Sequence, residues 1–361
     1  MFARAAACGS EAGPADDAAI AAAGTRVFRA VQDREGHRVG DELADTTSRL
    51  TEAIRGRLIA APVTPMDESA HIAPADLDRY AAAIAGAVDG VCVWAHTARG
   101  LELTDTQRDV VLAAFRDVTD GPLLAAVGPP DGTGDDFASQ CAATARLAER
   151  AAAGGADALM VYPVSSLRDP DTRAERTIRL HAEVAAAAGL PVTGFLLYPA
   201  AGGVGYPPAL LTELAARPEV LGVKLATLYD AVGCQDAIAA IHAGGALAVT
   251  GEDRMFGPSL LWGADAALVG VAAAVAELSA RLVHAWVAGE AAAFVPAARR
   301  LDRFAAAVFR DPMDAYVQRM LWAAEREGIV PAASAHDPHG VRPDPAERAA
   351  VAAAYRDAIG G

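Results

Sequence analysis

The sequence predicts a (β/α)₈ barrel followed by a C-terminal helical region, and three observations carry that expectation. From Arg57 onward, short β-rich runs alternate with longer Ala-rich helical stretches; the runs number eight; and no Gly-rich turn follows the first of them. Strict alternation of strand and helix means a parallel sheet with helical crossovers. Eight such repeats within residues 58–270 match the count and size of a closed barrel. A doubly wound sheet is the structural rival, but it carries a glycine fingerprint after its first strand, and here that place reads TPMDESA.

In chain order, the first strand candidate is LIAAPV (58–63), followed by the helical stretch PADLDRYAAAIAGA. GVCVWA (90–95) leads to DTQRDVVLAAFRDV, and LLAAVG (123–128) to FASQCAATARLAERAAAGG. ALMVYP (158–163) precedes TRAERTIRLHAEVAAAAG, and several of these stretches end on Gly just before the next strand, a helix C-terminal signal. VTGFLLY (192–198), LGVKLA (221–226), ALAVTG (246–251) and AALVG (266–270) complete the eight, so the barrel is expected over residues 56–271. Residues 272–361 read as helical over 272–289, 291–310, 312–327 and 344–359, an appendage suited to packing or subunit contact. Residues 1–55 have few large apolar side chains and no β-rich run. They are expected to be a disordered or loosely helical extension, with a helix near residues 41–54 leading into the barrel.

Composition excludes several function classes. A net charge of −15 argues against a nucleic-acid partner, which needs a basic face. No run approaches the roughly 18 apolar residues of a membrane span, and the first residues lack the apolar core of a signal peptide. Cys8, Cys92, Cys141 and Cys234 stand far apart without a C-x-x-C pair, which reads as reduced thiols in a cytoplasmic protein.

One residue stands out. Of 31 Lys+Arg, Lys224 alone is lysine, and it closes an apolar run that reads as a buried strand. An amine can lose its proton and act as a nucleophile, which a guanidinium effectively cannot. Active sites of such barrels lie at the C-terminal strand ends. Those ends bring Thr64-Pro65, His96-Thr97, Gly128, Tyr162, Tyr198, Lys224, Gly251 and Gly270 to one rim. Burial would lower the lysine pKa, and the Tyr198 hydroxyl on the preceding strand would shuttle protons to and from a carbinolamine. The outline is a Schiff-base site that needs no metal or organic cofactor.

The segments APVTP, GVCVWAHTARGLELTDTQR, LLYP, VLGVKLAT and VTGEDRMF…WGADAALVG resemble the dihydrodipicolinate synthase / N-acetylneuraminate lyase family of class I Schiff-base aldolases, from about Arg57 to the C-terminus. The resemblance implies Lys224 as the imine-forming residue, Tyr198 as the proton relay and His96-Thr97 as the turn holding a 2-oxo acid's carboxylate. Thr64, Gly251 and Leu268 would line the pocket. It also implies pyruvate or a related 2-oxo acid as the small-molecule partner and a homo-oligomer, dimer or tetramer. Three departures point away from dihydrodipicolinate synthase itself. The turn reads Ala95-His96-Thr97-Ala98-Arg99 where the family has Gly-Thr-Thr-Gly-Glu; Gly203 replaces an arginine that grips a second carboxylate; and Val164-Ser165 replace a tyrosine pair. His96 is the candidate acid/base for the far end of the substrate, and Arg99 a candidate for pairing with an acidic substrate or a neighbouring helix.

Two other patterns remain. HDPH (336–339) has a spacing one metal could use, but without a third ligand nearby it reads as a solvated loop. GADAALVG resembles a phosphate-binding turn, but TGEDRMF stands where its companion Gly-rich turn belongs. The alternatives to a lyase are therefore a 2-oxo-acid-binding barrel without turnover and, behind it, a phosphate-anchored barrel.

Overall fold

The eight apolar runs are all strands. In the computed structural model, which describes residues 42–360, they are β1 (Leu58–Ala60), β2 (Gly90–Val93), β3 (Leu123–Val127), β4 (Ala158–Val161), β5 (Val192–Leu197), β6 (Val220–Ala226), β7 (Leu247–Thr250) and β8 (Ala266–Val269). They pair in sequence order, all parallel, and β8 closes on β1. Every strand residue is buried except the last of β6. That is why each reads as a continuous apolar run rather than an alternating one.

Helices alternate with the strands: α1 (residues 42–54), then α2 (Pro74–Ala85), α3 (Asp105–Arg116), α4 (Phe137–Ala153), α5 (Arg173–Ala188), α6 (Pro208–Ala215), α7 (Ala231–Gly244) and α8 (Phe256–Leu261). Local chemistry sets their ends. Thr104 and Gln107 form a reciprocal capping box at the start of α3. Gly189 and Gly245 close α5 and α7 in the left-handed conformation. The helix α1 packs Leu50 and Ile54 against the barrel interior. Apart from it, the expected extension over residues 1–55 lies outside the described residues, as does Cys8; Cys92, Cys141 and Cys234 are free thiols.

The barrel interior is a packed core of Ile59, Cys92, Leu124, Met160, Phe195, Val249, Leu268 and their neighbours. One irregularity bears on function. Between β5 and β6 the register slips, so that Val192 pairs with Val220 and Thr193 with Gly222, leaving Leu221 without a partner. An extra residue of this kind re-aims the strand beyond it. Lys224 then stands opposite Phe195 on one side and Val249 on the other, both interior residues.

The trailing helices are α9 (Ala276–Val287), α10 (Ala291–Val308), α11 (Tyr316–Glu327) and α12 (Glu347–Ile359). Barrel and helices belong to one compact unit. The link between α10 and α11 is gathered by the fully buried Arg319. Its Nη1 donates to the carbonyls of Val308, Arg310 and Pro312, its Nη2 to that of Asp311, and its Nε to Glu347. Five bonds from one guanidinium order a loop that would otherwise bury unsatisfied carbonyls. That loop reaches the mouth of the barrel.

Candidate active site

At the C-terminal mouth a small pocket of about 50 Å³ is lined by residues including Lys224, Tyr198, His96, Thr97, Asp253 and Tyr316. Lys224 is 6 % exposed. Its amine sits 4.4 Å from the centre of the Phe195 ring. Burial lowers its pKa, while Cys92, Asp253 and Glu252 pull the other way. Gly251 makes room for the stem: a Cβ there would lie 2.5 Å from Lys224 Cε and 2.8 Å from the Leu225 carbonyl.

Tyr198, at the end of β5, is half-buried. Burial and the carboxylates of Asp253, Asp314 and Glu252 push its hydroxyl up to about 12, so it keeps its proton at neutral pH. Asp253, three residues past β7, accepts from the Val271 N–H at 2.6 Å. Burial raises it to about 7, against the pull of that bond and of Lys224. The neighbouring Glu252 is buried and accepts from the N–H groups of Thr227 and Leu228, tying down the turn after β6.

The turn after β2 is tightly wound. His96–Ala98 form a 3₁₀ turn, and Trp94 and Arg99 both take positive φ. A Cβ on Gly100 would fall 1.8 Å from the Trp94 carbonyl, so only glycine closes the loop. Thr64 does not face the pocket through its hydroxyl, which donates to the Ala98 carbonyl at 2.9 Å and braces the turn. His96 and Thr97 face the pocket. His96 Nδ1 lies 2.8 Å from the hydroxyl of Tyr316, which reaches Thr97 Oγ1 at 3.5 Å.

Arg99 points elsewhere. Its guanidinium donates to Asp337 and Asp314 at 2.7 Å each and to the Asp314 carbonyl at 2.9 Å. With those partners it is a clamp between the β2 turn and the C-terminal region and does not line the pocket. Asp337, inside the HDPH segment, is buried in that clamp, so this part of the loop is not solvated. Leu268 belongs to the barrel core. Sequence reasoning missed Asp253, Tyr316, Phe309 and Met313 as pocket residues. Only Asp253 had a signal, its place at a strand end.

A second cavity, of about 340 Å³, shares His96, Leu197 and Ala201 with the first. Glu102, Asp131, Asp135, Gln140 and Ser165 are among its walls, and no lysine or arginine is.

Fold and rim together define a (β/α)₈ barrel built around one buried amine at the end of its sixth strand. The chain belongs to the dihydrodipicolinate synthetase family, whose profile matches residues 55–352; members of that family are lyases and aldolases. Among solved structures it is similar to a dihydrodipicolinate synthase from Agrobacterium tumefaciens, at 22 % identity over 86 % of this chain and 99 % of that one, with a TM-score of 0.71. A prophage protein of the dihydrodipicolinic acid synthase family from E. coli K12, in complex with pyruvate, is 20 % identical over 84 % and 98 %, TM-score 0.71. The catalytic-lysine mutant of a Ruminococcus gnavus sialic acid aldolase is 19 % identical over 85 % and 97 %, TM-score 0.69. At such identities these likenesses establish the shared fold. No curated protein matches the sequence. Among the described residues no helix is long and apolar enough to cross a membrane.

Proposed function

We propose that this chain is a class I lyase that forms an imine between Lys224 and pyruvate or a related 2-oxo acid. The observation that carries the reading is the placement of its single lysine: buried, directed into the pocket and flanked there by Tyr198, His96 and Thr97. Desolvation raises the neutral fraction of the amine, which attacks the keto carbon. Tyr198, protonated at neutral pH, passes a proton to the carbinolamine oxygen as water leaves and takes it back on hydrolysis. The Thr97 hydroxyl and the amides of the His96-Thr97 turn hold the carboxylate. The iminium then accepts the electron pair of the breaking bond, so aldol cleavage, condensation and dehydration of a hydroxy acid all pass through it. The complex with pyruvate of the related E. coli protein and the catalytic lysine of the R. gnavus aldolase support the same reading.

Dihydrodipicolinate synthesis itself fits poorly. At Gly203 any Cβ would fall 1.9 Å from the Leu197 carbonyl, so this backbone has no place for the arginine that would grip a second carboxylate. A homo-oligomer remains part of the proposal. Pyruvate release from a panel of 4-hydroxy-2-oxo acids, with Lys224→Ala as control, tests the reading. Imine formation without release from any of them would favour a 2-oxo-acid-binding barrel.

A further inference from the structure

Three residues of the β2 turn meet one C-terminal segment. His96 and Thr97 face the Tyr316 hydroxyl, and Arg99 pairs with Asp314, two residues before it. Tyr316 is buried, its ring stacked on Phe309 at 5.0 Å and nearly parallel to that of His96. Its position is held from both sides, by the Arg99 clamp and by the Arg319 bonds to the preceding loop. Within the described residues His96 Nε2 makes no hydrogen bond, and its ring borders both cavities.

The protons of this trio can be counted. Tyr316 has one hydrogen and two neighbours. If it donates to Thr97 Oγ1, then His96 must donate from Nδ1, Nε2 carries a lone pair, and the Thr97 hydrogen remains free for a carboxylate in the pocket. If it donates to Nδ1 instead, Thr97 turns its hydrogen toward Tyr316 and away from that carboxylate. An anionic ligand that draws the Thr97 hydrogen favours the first arrangement, in which the tyrosine hydrogen spans the long 3.5 Å contact to Thr97 Oγ1; which ring nitrogen is protonated follows from the bond made by the other.

We propose that Tyr316 is a positioning residue, supplied by the same chain, that holds His96 with Nδ1 protonated so that Nε2 is the base for the imine-bound 2-oxo acid. This rests on the Schiff-base reading. In the step, Nε2 removes a proton from the carbon next to the imine carbon. The C–H electron pair becomes a carbon–carbon double bond, and the imine π pair moves to the nitrogen as the neutral enamine forms. The imidazolium keeps its Nδ1–H bond to Tyr316 and returns the proton in the reverse step. Burial, reinforced by Arg99 and Lys224, lowers His96 to about 4 against the opposing pull of Asp314 and Asp337, so the resting ring is neutral.

Exchange of pyruvate methyl protons in D₂O, followed by NMR, reads this step without knowledge of the true substrate. Wild type should exchange. Tyr316→Phe and His96→Gln should exchange at least about tenfold more slowly, with the rate of each variant referred to the fraction of its chains that borohydride traps as the pyruvate adduct on Lys224. In ¹⁵N spectra of the wild-type protein with pyruvate bound, His96 should show an unprotonated Nε2, a signature lost in Tyr316→Phe. Exchange unchanged in both variants, or a protonated Nε2 in wild type, overturns the proposal. Failure of wild type to trap pyruvate would instead remove the Schiff-base reading, and this one with it.

Discussion

Replacing Arg99 by methionine should destabilise the protein severely without removing any group from the pocket. The side chain of Arg99 is 7 % exposed and that of Asp337 1 %. Without the guanidinium, Asp337 keeps only the N–H groups of His339 and Gly340, at 3.3 and 3.2 Å. Leaving one partner of a buried pair uncompensated costs about 3–5 kcal/mol. Asp314 adds little, because its side chain is 43 % exposed and hydrates on its own. At an unfolding entropy of about 2.1 cal/mol/K per residue, a folded unit of this size loses roughly 1.5 °C per kcal/mol, so thermal denaturation of Arg99→Met should begin about 4–8 °C lower. The double variant Arg99→Met/Asp337→Leu should recover part of that loss, since no buried charge is then stranded. A single variant within about 1 °C of wild type would refute the reasoning and free Arg99 for a role at the substrate.

Further outcomes follow from the pocket. Gly251→Ala puts a methyl against both Lys224 Cε and the Leu225 carbonyl; overpacking of this kind costs about 1–3 kcal/mol, and borohydride trapping at Lys224 should slow with it, whereas unaltered trapping would mean the lysine stem lies elsewhere. Imine formation requires the neutral amine, so its rate should rise with pH and level off below the ordinary lysine value of 10.5, because burial lowers Lys224. Asp253 holds that pKa up, and Asp253→Asn should therefore move the rising limb to lower pH; a limb that stays put or moves upward contradicts the assignment.

Much of the fold was legible because buried parallel strands and amphipathic helices write their burial into local sequence. All eight strand candidates are strands, and Lys224 lies within β6, two residues before its end at the mouth. The four trailing helical stretches are α9 to α12. Strand ends could be read as a rim because the side of the barrel they occupy is fixed by parallel topology. Partners contributed from a distance were not legible. Tyr316 sits 220 residues from His96, on a helix whose apolar face looks like any other packing face. The partners of Arg99 could not be read from the sequence, because Asp314 and Asp337 lie more than 200 residues from it. The C-terminal region, expected as an appendage, forms a wall of the pocket.

The central claim is that Lys224 is a nucleophile. Borohydride reduction with pyruvate and a small set of 2-oxo acids, read by intact mass and peptide mapping, tests it most directly. A single reduced adduct per chain, mapped to Lys224 and absent from folded Lys224→Ala, is the predicted result. Folded wild-type protein that yields no adduct with any 2-oxo acid would contradict it and leave the buried lysine a structural residue.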